Sequence, residues 1–248
     1  PMIKFFRKIR FDLMEKNKTG KYLKYAIGEI ILVVIGILFA LQINNWNIKN
    51  VQQMEGRTYL TSIKSNLVQD TLVLRLTIEN IKLTLKTLDS TAGLISMNES
   101  ILLKGSGITN AMLTTHNFVT ENTSVEDLTS SGKFNLIDNQ KIAKQTLLYY
   151  NRIEDKVGAF NKSIEIYTRD IIAPYFMNRY QMDFDYPNSL KFNEKSNSDN
   201  NENNSDNLFI INAIKYRHFI LSSLSYYYEE TITSAKNLIV SINIELEK

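Results

Sequence analysis

The chain has 248 residues, 44% of them hydrophobic, with only 9 glycines, 3 prolines and no cysteine. So few turn residues exclude a many-stranded sheet, and the lack of cysteine excludes disulfides, thiolate catalysis and cysteine-bound zinc, so the expected class is all-α. The net charge of +3 is unevenly spread: Lys4, Arg7, Lys8, Arg10, Lys16, Lys18, Lys21 and Lys24 face only Asp12 and Glu15, giving +6 before the first apolar run and −3 after it.

Residues 2–21 read as a basic amphipathic segment. Ile3, Phe6, Ile9 and Leu13 recur at helical spacing among Lys4, Arg7, Lys8 and Arg10, a pattern that lies in a membrane interface and attracts anionic lipid. No nucleic-acid-binding module surrounds these cations, so no nucleic acid is expected as a partner.

Residues 22–46 are predicted to form a transmembrane helix. Tyr22 to Ile43 would rise roughly 33 Å as a helix, enough for the hydrocarbon core of a bilayer. Tyr22 and Tyr25 at one end and Trp46 at the other suit the two interfaces, and the basic flank places the N-terminus in the cytoplasm. No small-x-small cleavage site follows the run, so an uncleaved anchor is expected. At about 100° per residue, Gly28, Leu32, Gly36, Ala40 and Ile43 share one side with Glu29, an ionisable group inside the apolar run. That side is a candidate contact face for a second helix. The alternative is that Glu29 lies near enough to the cytoplasmic boundary to reach water.

Residues 47–248 are expected to form an antiparallel helical bundle. Leu60, Ile63, Leu67, Leu74, Ile78, Ile81, Leu85 and Leu88, with Thr71 in register, make a long seam of coiled-coil type on a helix continuing from the anchor. Leu72, Leu76 and Leu83 make a second stripe and predict a second neighbour for that helix. Gly93, Gly105 and Gly107 mark an irregular stretch, and Ser124 to Asp127 reads as a capped short helix ending near Gly132. The next helix starts near Asp138 or Asn139. Its seam runs through Ile142, Thr146, Tyr149 or Tyr150, Ile153, Val157, Phe160, Ile164, Tyr167 and Ile171, until Pro174 ends or kinks it. Residues 193–207 contain no apolar side chain before the last helix and read as a mobile Asn-rich loop. Ile214, Leu221, Leu224, Tyr228, Thr231, Ala235, Leu238 and Ile242 line that last helix.

The text "MIKFFRKIR" followed by "KYLKYAIGEIILVVIGILFALQINNWN" resembles a family of uncharacterised flavobacterial-type single-pass membrane proteins. "YLTSIKSNLVQD" and "EDLTSSGKFNLIDNQKIAKQTLLYYN" resemble the same family, whereas the Asn-rich insert departs from it. The resemblance implies an inner-membrane protein with a periplasmic helical domain; the domain is one of unknown function, so it carries topology and no chemistry.

Catalytic patterns are sparse. "SSGK" at residues 130–133 lacks the first glycine and the strand of a phosphate loop and fits a helix C-cap better. His116 and His218 are the only histidines, and Glu229 and Glu230 are neighbours that point apart on a helix. No catalytic residue, metal or cofactor is expected. The tyrosines at 149–150 and 226–228 suit a helical core better than a pocket. The expected function is non-enzymatic: a membrane-anchored interaction or scaffold protein, with membrane lipid and either further copies of the chain or another envelope protein as partners. Two alternatives are a ligand-sensing module signalling through a partner, and an accessory subunit of an ion-driven complex that uses Glu29.

Overall fold

A computed structural model describes residues 19–96, 106–185, 189–194 and 204–248. The basic segment with Lys4, Arg7, Lys8 and Arg10 lies outside the described residues, as does most of the predicted Asn-rich loop. The ends of that predicted loop are ordered elements: residues 193–194 close a strand and 204–207 open a helix. By contacts the chain divides into two units, Pro1–Gly56 and Arg57–Lys248.

Helix α1, Thr19–Ser96, begins in the first unit, where it contains an 18-residue window of mean hydropathy 2.5 with none of it buried. This helix is long and apolar enough to cross a membrane.

The second unit contains the rest of α1 from Arg57 onward with α2 (Ser106–Leu113), α3 (Thr123–Ser130), α4 (Gln140–Arg152), α5 (Gly158–Tyr167), α6 (Ala173–Arg179) and α7 (Asn204–Leu246). Ile63, Leu67, Leu74, Ile81 and Leu88 are fully buried against a cluster that includes Leu221, Leu224, Tyr228, Ala235 and Ile242 of α7. Each such aliphatic side chain contributes about 1.5 to 3 kcal/mol relative to exposure. Cross-links register the helices. Arg57 donates to the Leu246 carbonyl, and Asp89 lies 3.3 Å from the His218 imidazole. Asn139 caps α4, accepting from the amides of Lys141 and Ile142, and its own amide donates to Glu245 at 2.6 Å.

Several expectations are corrected. The polar member of the α1 seam is Asp70, 2% exposed, rather than Thr71. Leu72, Leu76 and Leu83 find no covering neighbour among the described residues and stand 51%, 69% and 66% exposed. Ser124 does not cap α3; Asn122 holds that place without a side-chain cap bond, and the Ser124 hydroxyl instead meets Ser62 at 2.8 Å. Ile171 is exposed and Ile172 is buried, because residues 168–172 form a turn of π-helix whose extra residue advances the core seam by one. A second π turn at 153–157 joins α4 to α5, and Pro174, which lacks an N–H to donate backward, follows the other one.

The helical class stands with one addition, a hairpin of β1 (Tyr180–Asp185) and β2 (Ser189–Glu194). The strands are antiparallel, with Met182 opposite Phe192 and Phe184 opposite Leu190. The alternation Met182-x-Phe184 and Leu190-x-Phe192 is a period-2 pattern that a helix-based reading of the sequence passed over.

Candidate functional site

The buried polar groups of the second unit converge on residues 114–122, a segment without regular structure between α2 and α3. Such a segment leaves peptide groups unpaired unless side chains serve them. Tyr228 donates to the His116 carbonyl at 2.7 Å, Asn161 to that of Phe118 at 3.2 Å and Asn66 to that of Glu121 at 3.1 Å. Thr120 and Tyr149 both donate to Asp70 Oδ2, at 2.6 and 2.8 Å, and Thr84 Oγ1 meets His116 Nε2 at 2.9 Å. Arg217, 1% exposed, donates through Nε to the Ala111 carbonyl at 2.5 Å and through Nη2 to that of Thr114, the carbonyl end of α2. Cations are favoured there by the partial negative charge of the helix end.

Burial sets the electrostatics. It raises the Asp70 carboxyl above its ordinary value against the lowering effect of its hydrogen bonds, and raises the Tyr149 phenol. It lowers the His116 imidazole to about 4, with the Arg217 cation adding to the effect, and lowers Arg217 itself to about 10. Asp70 and Tyr149 are an acid and a phenol in contact, and the carboxylate and the hydroxyl are spent on each other and on Thr120 inside the protein, so the network holds the segment in place. Among the described residues no three His, Asp or Glu side chains converge as a metal site would require.

Two surfaces remain open. The first is the apolar part of α1. Gly28, Leu32, Gly36, Ala40 and Ile43 lie within one arc of the helix with Glu29 by their spacing. All are exposed except Glu29, which is half-buried, and a methyl group added at Gly28 or Gly36 would meet nothing. The second is a half-open groove of about 280 Å³ between α4 and α7. Gln145, Leu148, Tyr149 and Arg152 form one wall at the i, i+3, i+4, i+7 positions, and Ser234, Asn237 and Leu238 form the other. Arg152 Nη2 donates to Glu230 at the groove. The sequence reading missed Gln145, Arg152, Ser234 and Asn237, since a polar residue on a half-exposed helix face carries no periodic signal, and it assigned Tyr149 and Leu238 to the core. Asp70 was missed as well: positions 70 and 71 both fit the three- and four-residue spacing between Leu67 and Leu74, and Thr71 was expected there.

A family model matches residues 29–157, just over half of the chain. The chain belongs to a family of unknown function (DUF6090). The family match starts at Glu29, runs through the apolar part of α1 and the buried seam, and stops at the end of the first π turn. It therefore includes Asp70, His116, Tyr149 and one wall of the groove, whereas Arg217 and the α7 wall lie outside it. No curated protein and no solved structure matches the chain.

Proposed function

We propose that this member of the family is a single-pass inner-membrane protein whose antiparallel helical bundle lies in the periplasm and binds another envelope protein or a second copy of the chain. One observation carries the reading. An 18-residue window of mean hydropathy 2.5 has none of its surface buried, and in water such a surface costs about 25 cal/mol per Å². Lipid covers it. The basic segment Lys4, Arg7, Lys8 and Arg10 then lies on the cytoplasmic leaflet, and Trp46 at the opposite interface. The exposed leucines of α1 support a partner for the bundle, since three large apolar side chains on one helix face are left uncovered by the described residues.

Two measurements test this. Cysteines placed at Lys18 and at Asn200 are expected to report opposite sides of the membrane: the first shielded from an impermeant thiol reagent in intact cells, the second labelled once the outer membrane is opened. The reverse labelling inverts the topology, and release of the chain by alkaline carbonate removes the anchor. For the contact face, Gly36→Leu is expected to reduce crosslinking of the chain in membranes by blocking close approach, while Val34→Leu, about 160° away around the helix, leaves it intact. Equal crosslinking of both variants rules out that face. Glu29→Gln keeps a hydrogen bond and removes a charge, so it preserves assembly under this reading and abolishes activity only in a complex that moves ions through Glu29.

A further inference from the structure

We propose that the groove between α4 and α7 binds a short peptide or amino-acid derivative that carries an amide N–H and a carboxylate. Among the described residues the buried Gln145 Oε1 atom has no hydrogen-bond partner. A buried acceptor left unmade is costly, and an arriving N–H donor recovers that cost. Gln145 stands half-buried in the wall of the groove, so a turn of its amide brings Oε1 to a donor on the open side.

The other groups narrow the ligand. A side-chain amide offers a carbonyl and an NH₂ in one plane, matching the N–H and C=O of a peptide unit, and Gln145 and Asn237 present one such amide from each wall. Ser234 adds a group that both donates and accepts. Arg152 has five N–H donors, and its bond to Glu230 engages one nitrogen, so the guanidinium can accept a carboxylate as well. Leu148, Leu238 and the Tyr149 ring supply the apolar contacts. A volume of about 280 Å³ sits at the small end of ligand pockets and suits a dipeptide. A phosphate dianion fits poorly, because the one cation in the walls is already partly neutralised by Glu230. A purely apolar ligand would leave Gln145 Oε1 unpaired.

The proposal stands independently of the membrane topology, and its test uses the full chain in mild detergent with two named probes. Glycyl-leucine carries both groups, and N-acetyl-leucine amide keeps the N–H but lacks the carboxylate. Saturation-transfer NMR and calorimetry are expected to detect glycyl-leucine at millimolar concentration and to find the amide at least about tenfold weaker. Gln145→Leu is expected to abolish binding while melting at or above the wild-type temperature, since it removes an unpaired acceptor. Asn237→Ala, an exposed position, is expected to weaken binding about tenfold and carries the test should Gln145→Leu fail to fold. Failure of both probes to bind the wild type overturns the proposal and leaves Gln145 to solvent. Full binding in Gln145→Leu or in Asn237→Ala overturns it as well, and equal affinity for the two probes removes the carboxylate from the ligand.

Discussion

Arg217→Ala is expected to destabilise the second unit by about 3 to 5 kcal/mol, the scale seen when a buried charged partner is removed. Among the described residues the guanidinium is the group that reaches the carbonyls of both Ala111 and Thr114, with Thr168 Oγ1 3.4 Å from Nη1. Truncation leaves those carbonyls inside the protein without a donor and opens a void where the largest fully buried side chain stood. Arg217→Lys is not a conservative change here, because one ammonium cannot present the fork that spans two carbonyls and a hydroxyl. Arg217→Met refills much of the volume without a buried charge, so its loss should fall between wild type and alanine. Urea unfolding of the full chain in mild detergent, followed by circular dichroism, measures the series. An alanine variant within about 1 kcal/mol of wild type would show that the segment after α2 does not depend on this side chain.

The same side chain marks where the sequence stops being readable. The apolar residues in the seams of α1 and α7 could be traced, because burial of one face imposes a three- and four-residue period whatever lies opposite. The start of α4 was legible to within Asp138 or Asn139 for a similarly local reason: a side-chain oxygen of either type serves amides two and three residues on, and Asn139 does so. Arg217 pairs instead with carbonyls more than 100 residues away, and no local pattern distinguishes it from a solvated arginine. Ile171 failed for another reason. Its place in the seam assumed 3.6 residues per turn, and the π turn before Pro174 adds a residue that periodicity cannot foresee. The hairpin was missed because two six-residue strands between long helices give only a short period-2 signal. In the candidate sites, the face of Gly28, Glu29 and Gly36 follows from helical geometry alone, whereas the groove exists only through the pairing of α4 with α7. That pairing is set by Asn139 with Glu245 and by Arg152 with Glu230, contacts that span the length of the unit.

Stability of the second unit is expected to fall as pH drops from about 6.5 to about 4, and His116 is the group responsible. Burial, with the Arg217 cation beside it, lowers the folded imidazole to about 4 from an ordinary value of 6.5. Between those values the unfolded chain binds a proton that the folded chain refuses, so acid favours unfolding. The contribution is fully present above pH 6.5 and is lost by about pH 4, amounting to roughly 2 to 3 kcal/mol after allowance for partial screening. Asp70 acts in the opposite sense. Its carboxyl is raised by burial, so the folded chain takes up that proton first, and protonation at Asp70 adds stability as pH falls through the folded value. Both groups tie the segment to α1, Asp70 of α1 through Thr120 and His116 of the segment through Thr84, and they partly offset each other. Urea midpoints of the full chain in mild detergent, taken from pH 7 to pH 4, separate them. His116→Gln should flatten the decline, because a neutral amide can still meet Thr84 Oγ1 without titrating. Asp70→Asn, although less stable at neutral pH, should show a steeper decline than wild type once the opposing group is gone. If His116→Gln and wild type lose stability with the same slope, the acid sensitivity belongs to another group, and the imidazole is not held neutral by the packing around Arg217.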